Sequence, residues 1–410
     1  MKAIFGSLGV RMTGLALSFY LNVHFAARIS QADLGDYYTL TQLLLLLSVF
    51  YRYGLDMVLI KYGRVMRSTR LLETLKNLYR SATVTLAVGT LLLAGLIPVV
   101  KNYIAIEVIF FAAISVMPFA FSHLVAEYLK ARDSQNKAAA IQSVIIPATT
   151  LLIFELFGFG VYGAYLSGVI IAAVAAAVWL FESVKRHGTV AKPTRDTFEE
   201  ISESRGIFFT VAVLNVVMAT ADTLCLALLT GSDEVGLYGV ASRIALLSSI
   251  VLVAVNGVMG PRFSEYWVGG DVSSLKSEFV KTSLIMTALA LLILVLTAGF
   301  GQFFLKIFFG SDYVESYDTL LILTVGQLIT LSTGPVAYGL MMTKNSALHR
   351  RSLYFAVSSN LILNILFIPI YGASGAAFAT AMSLVLKNGY SFFVFWNFLR
   401  VEASARELAN

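Results

Sequence analysis

The sequence has little charge. Asp, Glu, Lys and Arg make up 13% of its 410 residues, whereas 58% of the residues are hydrophobic. Soluble domains are roughly 25% charged, so the composition excludes an ordinary water-soluble protein. There is a single cysteine, Cys225, which excludes an intramolecular disulfide and a thiol-bound metal cluster.

Catalytic motifs are also missing. The sequence has no P-loop, no HExxH and no GxSxG nucleophile elbow, and its four scattered histidines form no metal-site pattern. The segment 158–163 matches GxGxxG, but it lies in a turn between two apolar runs and no strand precedes it. We therefore expect no enzyme, no bound metal and no cofactor. The enzyme class left open is an intramembrane glycan polymerase or ligase, although such enzymes need larger outer loops than this chain has.

Long apolar runs are what the sequence does contain. Runs of about 20 residues can each cross about 30 Å of hydrocarbon as a helix. They predict an all-α polytopic membrane protein with twelve transmembrane helices. The spans are expected at approximately 3–29, 38–61, 80–100, 105–129, 137–157, 161–182, 206–230, 235–260, 279–300, 316–343, 351–369 and 373–399.

The distribution of cations predicts the orientation in the membrane. Lys and Arg accumulate on the cytoplasmic side. Three of them fall in the odd-numbered loops, whereas 23 fall in the termini and the even-numbered loops. Both termini are therefore expected in the cytoplasm, and the N-terminus, which lacks a small-residue cleavage site, reads as a retained first helix. The net charge of +6 is explained by topology and by contact with anionic membrane lipids, so no nucleic-acid partner is expected.

Two pairs of matching segments indicate an internal repeat. Residues 34–37 (LGDY) correspond to residues 235–238 (VGLY), 201 positions later, and residues 161–164 (VYGA) correspond to residues 370–373 (IYGA), 209 positions later. Because each repeat holds an even number of spans, the two halves share one orientation in the membrane. The predicted domains are an N-terminal six-helix lobe at 1–182, a cytoplasmic linker at 183–205, a C-terminal six-helix lobe at 206–400 and a cytoplasmic tail at 401–410.

Cationic side chains inside the apolar runs are the main functional signal. Arg11, Arg52, Arg243 and Lys387 lie well within predicted spans. A charge near the bilayer centre costs roughly 2.5–3.5 kcal/mol on insertion scales, so such residues usually face protein or a wet cavity. They indicate an anionic substrate. Arg28 lies at the outer boundary of the first span, where it could also extend to the lipid headgroups.

Other polar residues in the spans have two readings each. Asn22 and Asn215 are candidates for substrate binding, but such side chains more often form interhelical hydrogen bonds. Arg52 and Asp56 are one turn apart and could neutralise each other, and Asp222 could pair with Arg243 or Lys387. A histidine can relay protons or be structural. The candidates for coupling-ion or proton binding are Asp56, Asp222, His24, His123 and Glu155.

Four segments in order resemble a known family. They are residues 32–38 (ADLGDYY), 233–243 (DEVGLYGVASR), 308–313 (FFGSDY) and 369–377 (PIYGASGAA). They resemble the Wzx-type polysaccharide repeat-unit flippases of the multidrug/oligosaccharidyl-lipid/polysaccharide exporter superfamily. The resemblance covers essentially the whole chain. By the family's pattern, Arg28, Arg52 and Arg243 would correspond to cavity arginines.

The resemblance implies a fold and a function. The fold is two pseudo-symmetric six-helix bundles around a central cavity. The function is movement of an undecaprenyl-diphosphate-linked oligosaccharide from the inner to the outer leaflet of the bacterial inner membrane by alternating access, for O-antigen (lipopolysaccharide), capsule or exopolysaccharide assembly. Polysaccharide polymerase and chain-length regulator proteins would be partners. Proton or sodium coupling stays open, and the alternative within the superfamily is a cation-coupled multidrug exporter.

Overall fold

The structure, a computed structural model, describes residues 2–62, 104–132, 134–186, 195–343 and 345–407. Within these ranges every regular element is helical and no strand occurs. The third predicted span, 80–100, lies outside the described residues. The other eleven predicted spans each fall on helical segments, as detailed below.

The chain divides into two compact units, Met1–Thr220 and Ala221–Asn410. The division falls inside one helix, which contributes its N-terminal part to unit 1 and its C-terminal end to unit 2. The domain boundaries predicted from the sequence, with a linker at 183–205, stay a prediction.

Unit 1 consists of helices that match the predicted first, second, fourth, fifth and sixth spans, together with the start of the seventh. They are α1 (Lys2–Ala26), α2 (Gln31–Arg52), α3 (Leu55–Tyr62), α4 (Ile106–Ala131), α5 (Gln135–Ala139) continuing through a π-helical segment (Ala140–Ile145) into α6 (Ile146–Phe157), α7 (Val161–Arg186) and the first part of α8 (Arg195–Leu229).

Local backbone features explain where these helices begin and end. Ser30 caps α2 by accepting the Asp33 N–H at 3.1 Å, which satisfies one of the free donors of the first turn. The predicted second span is broken between α2 and α3, where Tyr53 has φ +40° and Gly54 has φ +74°. Gly158, at φ +62°, ends α6 in the left-handed conformation that glycine tolerates. The GxGxxG match is thus a helix–turn–helix connection.

The π-helical segment packs closely on α1. A Cβ on Gly14 of α1 would lie 2.5 Å from the Ser143 carbonyl oxygen, so only glycine fits at this contact. In contrast, a Cβ on Gly9, five residues earlier, would meet no atom within 4 Å. The close approach of α1 to the π segment therefore depends on one residue of α1.

Unit 2 consists of the end of α8 and helices that match the predicted eighth to twelfth spans. They are α9 (Ser232–Leu246), α10 (Ser249–Val268), α11 (Val272–Phe309), a 3-10 turn (Ser311–Ser316), α12 (Tyr317–Ser332), α13 (Val336–Met342) and α14 (Ser346–Glu407).

Helix α14 contains two predicted spans. Its arms, 346–371 and 373–407, are separated by Gly372, whose φ of +52° and ψ of −129° are not helical. At the other end of the unit, Asp271 caps α11 by accepting the Ser274 N–H at 2.9 Å. A hydrogen bond from the Ser274 side chain, together with this backbone bond, lowers the pKa of Asp271, so the cap stays ionised near neutral pH.

The surface of both units suits a lipid environment. Seven helical segments of the described residues are long and apolar enough to cross a membrane. In the most apolar 18-residue stretch of α11, only 17% is buried inside the protein. Leu284, Ile285 and Val295 are each more than 60% exposed. Soluble monomers rarely expose large contiguous apolar patches, so this apolar surface of α11 contacts lipid.

Candidate functional site

Unit 2 holds a buried carboxylate surrounded by neutral hydrogen-bond donors. Asp222, on α8, is 6% exposed. Its Oδ1 accepts the side-chain N–H groups of Asn360 at 2.9 Å and Asn364 at 2.8 Å. Its Oδ2 accepts the Tyr238 hydroxyl at 2.7 Å and the hydroxyl of Thr380. We call these five residues the Asp222 cluster.

The cluster is built from three helices of unit 2. Tyr238 comes from α9, which follows α8 after a short turn, Asn360 and Asn364 lie one turn apart on the first arm of α14, and Thr380 lies on the second arm. Packing these helices together therefore assembles the donors around the carboxylate. A buried charge is costly unless it is hydrogen-bonded or paired, and bonds to an ionised acceptor are about twice as strong as neutral ones.

The residues of the Asp222 cluster could replace their hydrogen bonds to the carboxylate by contacts to a bound cation. Asn360 Oδ1 already accepts from Asn364 Nδ2 at 3.1 Å, and Asn364 Oδ1 is buried with no donor among the described residues. A side-chain amide presents either its oxygen or its nitrogen after a flip of about 180°. With both amides flipped, the carboxylate, amide and hydroxyl oxygens would form an oxygen-only ligand set, which hard cations prefer.

The sequence placed Asp222 among the coupling-ion candidates but left its partner open between Arg243 and Lys387. The structure instead surrounds it with neutral side chains. Asn360 and Asn364 carried a signal, since two asparagines one turn apart in an apolar span share a face. Tyr238 was missed as a functional residue, because a tyrosine near the end of a span is ordinarily an interfacial anchor.

In unit 1 the structure brings three other candidates together. His24 Nε2 contacts Glu155 Oε1, and Arg28 Nη1 lies 3.6 Å from the same oxygen. His24 lies in the last turn of α1, Arg28 in the turn that follows this helix, and Glu155 on α6. The Tyr20 ring stacks against the His24 ring, with centroids 5.9 Å apart. Arg28 is 57% exposed and Glu155 38% exposed, so this cluster lies at the surface of unit 1.

The Arg52–Asp56 pair predicted from helical spacing forms across the break between α2 and α3. Arg52 Nη1 donates to Asp56 Oδ2 at 2.7 Å, and Arg52 Nε donates to the Ser48 carbonyl at 3.3 Å. Arg52 is 8% exposed. Its charge is therefore neutralised within unit 1, which favours a structural role for this arginine over direct contact with an anionic substrate.

A second ion pair lies near Asp56. Lys130 Nζ and Gln142 Nε2 donate to Glu127 Oε1 at 2.7 and 2.8 Å, and Gln142 belongs to the π-helical segment. Asp56 lies within electrostatic reach of both Glu127 and Lys130. His123, one turn before Glu127, packs against Phe119 in a tilted arrangement, with ring centroids 4.3 Å apart. The charged side chains of Arg52, Asp56, Glu127 and Lys130 therefore form a network within unit 1.

The remaining candidates differ in exposure. Arg11 is exposed on α1, whereas Asn22, on the same helix, is buried and donates to the Ser18 carbonyl at 2.5 Å. Asn215 is exposed and donates to the Val211 carbonyl at 2.9 Å. Arg243 is half-buried and donates to the Gly239 carbonyl at 3.1 Å.

Lys387 completes the set of candidates. It is half-buried in the second arm of α14 and has no carboxylate within ion-pair distance among the residues described. Its neighbour Asn388 donates to the Thr330 hydroxyl of α12 at 3.0 Å. Contact with substrate stays a prediction for Lys387 and for every other candidate in the set.

Comparison with known proteins identifies the family. Residues 2–267 match the family described as "Polysaccharide biosynthesis protein". The chain belongs to this family. The resemblance to polysaccharide flippases inferred from sequence segments is thereby confirmed.

Curated relatives include two archaeal proteins. An uncharacterized membrane protein of Methanocaldococcus jannaschii is 24% identical over 93% of this chain and 79% of its own length. A protein of Haloferax volcanii named as a probable low-salt glycan biosynthesis flippase, Agl15, is 24% identical over 41% of this chain and 35% of its own length.

Solved structures of two transporter types share the fold. A lipid II flippase, MurJ, in an inward closed conformation superposes with a TM-score of 0.71 at 16% identity, covering 96% of this chain and 87% of that chain. An inward-facing multidrug resistance transporter of the MATE family also gives a TM-score of 0.71, at 14% identity and with coverage of 98% and 99%. The twelve-span, two-bundle fold class is confirmed. At these identities the similarity concerns the fold and not the substrate.

Proposed function

We propose that the protein is a flippase that moves an oligosaccharide linked to a polyprenyl diphosphate, such as undecaprenyl diphosphate, from the inner to the outer leaflet of the cytoplasmic membrane. Membership of a polysaccharide biosynthesis family and the fold of a multi-pass transporter support this function. The barrier to such a movement is the polar head of the lipid. Transfer of each hydroxyl from water into the apolar membrane costs a few kcal/mol of free energy unless it finds a hydrogen-bond partner.

The observation that carries the proposal is the state of Arg11. This arginine lies in the apolar helix α1, is exposed at the surface of unit 1, and has no carboxylate within 4.0 Å among the residues described. A cation in an apolar span needs an anionic or strongly polar partner. The planar guanidinium binds phosphate oxygens in pairs, so the diphosphate of the lipid would be that partner.

Movement of an anion outward is expected to be coupled to cation or proton movement. The Asp222 cluster offers a buried carboxylate for a sodium ion or a proton, and the His24–Glu155 pair is a second candidate for coupling. Binding at these groups would shift the equilibrium between inward-open and outward-open states, provided that the cation binds one state more tightly than the other.

The drug-exporter alternative rests on fold similarity to the MATE transporter. If the protein were a drug exporter, its deletion would change the sensitivity of cells to cationic dyes and leave surface polysaccharide unchanged. The alternative of another class is a glycan polymerase or ligase. Deletion of such an enzyme would change the length of the polysaccharide chains, but lipid-linked units would not accumulate on the inner leaflet. The Haloferax volcanii relative is named as a probable glycan biosynthesis flippase, and the chain belongs to a polysaccharide biosynthesis family; both favour a flippase over a drug exporter, and the relative's name also favours it over a polymerase or ligase.

The test uses proteoliposomes that contain a fluorescent polyprenyl-diphosphate oligosaccharide. The wild-type protein should transfer it between leaflets, Arg11→Ala should lose most of this activity at normal protein levels, and Arg11→Lys should recover part of it. Lys306→Ala is the matched control, since Lys306 is an exposed cation at the end of α11. Normal transfer by Arg11→Ala would contradict the proposed role of Arg11.

The cellular setting follows from the same proposal. We infer a location in the cytoplasmic membrane with both termini on the cytoplasmic side, from the distribution of cations. In a bacterium this is the inner membrane, and a polymerase and a chain-length regulator would act on the transferred units. We propose transport without enzymatic turnover of the oligosaccharide.

A further inference from the structure

Helix α9 makes two separate polar contacts from one face. Tyr238 donates to Asp222 at 2.7 Å. Glu234, four residues earlier and therefore on the same face, accepts the backbone N–H of Ala373 through Oε2 at 2.6 Å. Tyr238 belongs to the proposed cation site, whereas Glu234 lies one helical turn away from it.

The Glu234 contact fixes the start of a helical arm that also reaches the cation site. Ala373 is the first residue of the second arm of α14, and Thr380, which donates to Asp222, lies two turns further along that arm. A closed ring of contacts therefore runs from Asp222 through Tyr238, α9 and Glu234 to Ala373, and along the arm through Thr380 back to Asp222.

The local geometry around Gly372 favours this contact. The N–H groups in the first turn of a helix have no partner within the helix, and the helix dipole favours a carboxylate at that end. Gly372 has φ +52°, and a Cβ there would lie 2.4 Å from Glu234 Oε2. The turn between the two arms is thus shaped around the Glu234 side chain.

The first repeat contains a polar contact between the equivalent pair of helices, but through different residues. Asp36 on α2 accepts the hydroxyl of Tyr162 at the start of α7, at 3.4 Å. By the 201-residue offset Asp36 aligns with Leu237, whereas Glu234 aligns with Asp33. The Glu234 contact also differs in kind, because it reaches a backbone N–H and so fixes the start of the helix itself.

We propose that Glu234 is a positioning residue that couples cation or proton binding at Asp222 to the turn at Gly372. This inference rests on the proposed coupling function. A cation at Asp222 must displace the hydroxyls of Tyr238 and Thr380 or reorient them, and these two residues are held at a fixed separation by the Glu234–Ala373 bond. Binding of a cation at Asp222 therefore changes the strength of the Glu234–Ala373 hydrogen bond. Conversely, loss of this hydrogen bond weakens cation binding at Asp222.

The experiment measures thermal unfolding of the full-length protein in lipid nanodiscs. Sodium chloride is titrated against choline chloride at constant ionic strength, and a second series varies the pH. The variants are Glu234→Ala, Glu234→Gln, Gly372→Ala and the double variant, with Asp222→Asn as the site control. Glu315→Ala is the matched control, because Glu315 is an exposed carboxylate of the same unit.

The wild type should be stabilised by sodium or by protons, and Asp222→Asn should abolish this response. Glu234→Ala should raise the half-maximal concentration about fivefold or more, the lower range of typical coupling between sites. Glu234→Gln should recover much of the loss, since its amide oxygen can accept the same N–H. Gly372→Ala should shift the response in the same direction, and the double variant should be no worse than Glu234→Ala.

Each of three results would overturn the inference and leave the proposed function standing, and a fourth concerns the control: the three are a wild-type response in Glu234→Ala, no recovery in Glu234→Gln, or additive effects of Glu234→Ala and Gly372→Ala. A shift in Glu315→Ala equal to that of Glu234→Ala would also overturn it, because any carboxylate would then have the effect. A wild type that responds to neither sodium nor pH would overturn the proposed coupling itself, and with it this inference.

Discussion

Removal of the Asp222 charge separates the two roles of its cluster. Asp222→Ala deletes the acceptor of all four hydrogen bonds and leaves Tyr238, Asn360, Asn364 and Thr380 without their shared partner. Asp222→Asn keeps one amide oxygen, which can still accept from both asparagines. Its new N–H group can donate to the hydroxyls of Tyr238 and Thr380, which rotate freely.

The expected magnitudes follow from the number of bonds. Hydrogen bonds between membrane helices average about 0.6 kcal/mol in double-mutant cycles, so loss of four bonds costs about 2.4 kcal/mol as a lower estimate. Hydrogen bonds to charged groups contribute at least roughly 1.5 kcal/mol each. At that value the loss of all four bonds costs about 6 kcal/mol. We expect Asp222→Asn to cost about 1 kcal/mol or less, because each of the four neighbouring side chains keeps a hydrogen bond to residue 222, two as donors and two as acceptors.

The assay is thermal unfolding of both variants, combined with the proteoliposome transfer assay. A domain of the size of unit 2 loses roughly 2–4 °C of Tm per kcal/mol, so Asp222→Ala should unfold about 5–10 °C lower even by the lower estimate. Asp222→Asn should unfold close to the wild type but lose cation-dependent transfer. Equal destabilisation by both variants would refute the argument from hydrogen bonds, and normal cation dependence of Asp222→Asn would refute the role of the charge.

Three further outcomes are expected. Gly14→Ala should destabilise unit 1 by about 1–3 kcal/mol, since the added Cβ overpacks against Ser143, whereas Gly9→Ala should be neutral or stabilising; thermal unfolding of the two side by side checks this. Arg52→Ala should cost about 3–5 kcal/mol, because it leaves Asp56 uncompensated, and the double variant Arg52→Ala/Asp56→Ala should recover part of that loss in the same measurement. Transfer of the diphosphate lipid outward should accelerate under an inside-negative potential, which favours each outward-moving negative charge by about 2.3 kcal/mol per 100 mV; indifference to voltage would contradict this.

The positions of the helices could be predicted from the sequence, but their interruptions could not. A run of 20 apolar residues identifies a span because hydrocarbon imposes one length on every helix that crosses it. The break at Tyr53 and Gly54 was not predicted, because no proline is present and a single glycine inside a span is compatible with a continuous helix. Gly372, in contrast, lies in the predicted gap between the spans at 351–369 and 373–399 and in the segment that repeats residues 161–164, so this turn was predicted.

The candidate site was predictable as a list of residues but not as a set of contacts. Asp222 stood out because a carboxylate in an apolar span is costly. Its partners depend on how α8, α9 and α14 pack, which no local pattern encodes. Glu234 carried even less signal: an acidic residue in the first turn of a helix is ordinary, and only the placement of Ala373 beside it gives it a role.

The π-helical segment at Ala140–Ile145 has a consequence for how the length of this chain can vary. A π turn holds one residue more than an α turn of the same helix, so the segment stores one surplus residue at the contact with Gly14. Removal of a single residue there would restore regular α geometry and rotate Gln142 relative to the rest of its helix, away from Glu127. Natural variation in length by one residue at this position would therefore change which polar groups meet inside unit 1 while the span itself is kept.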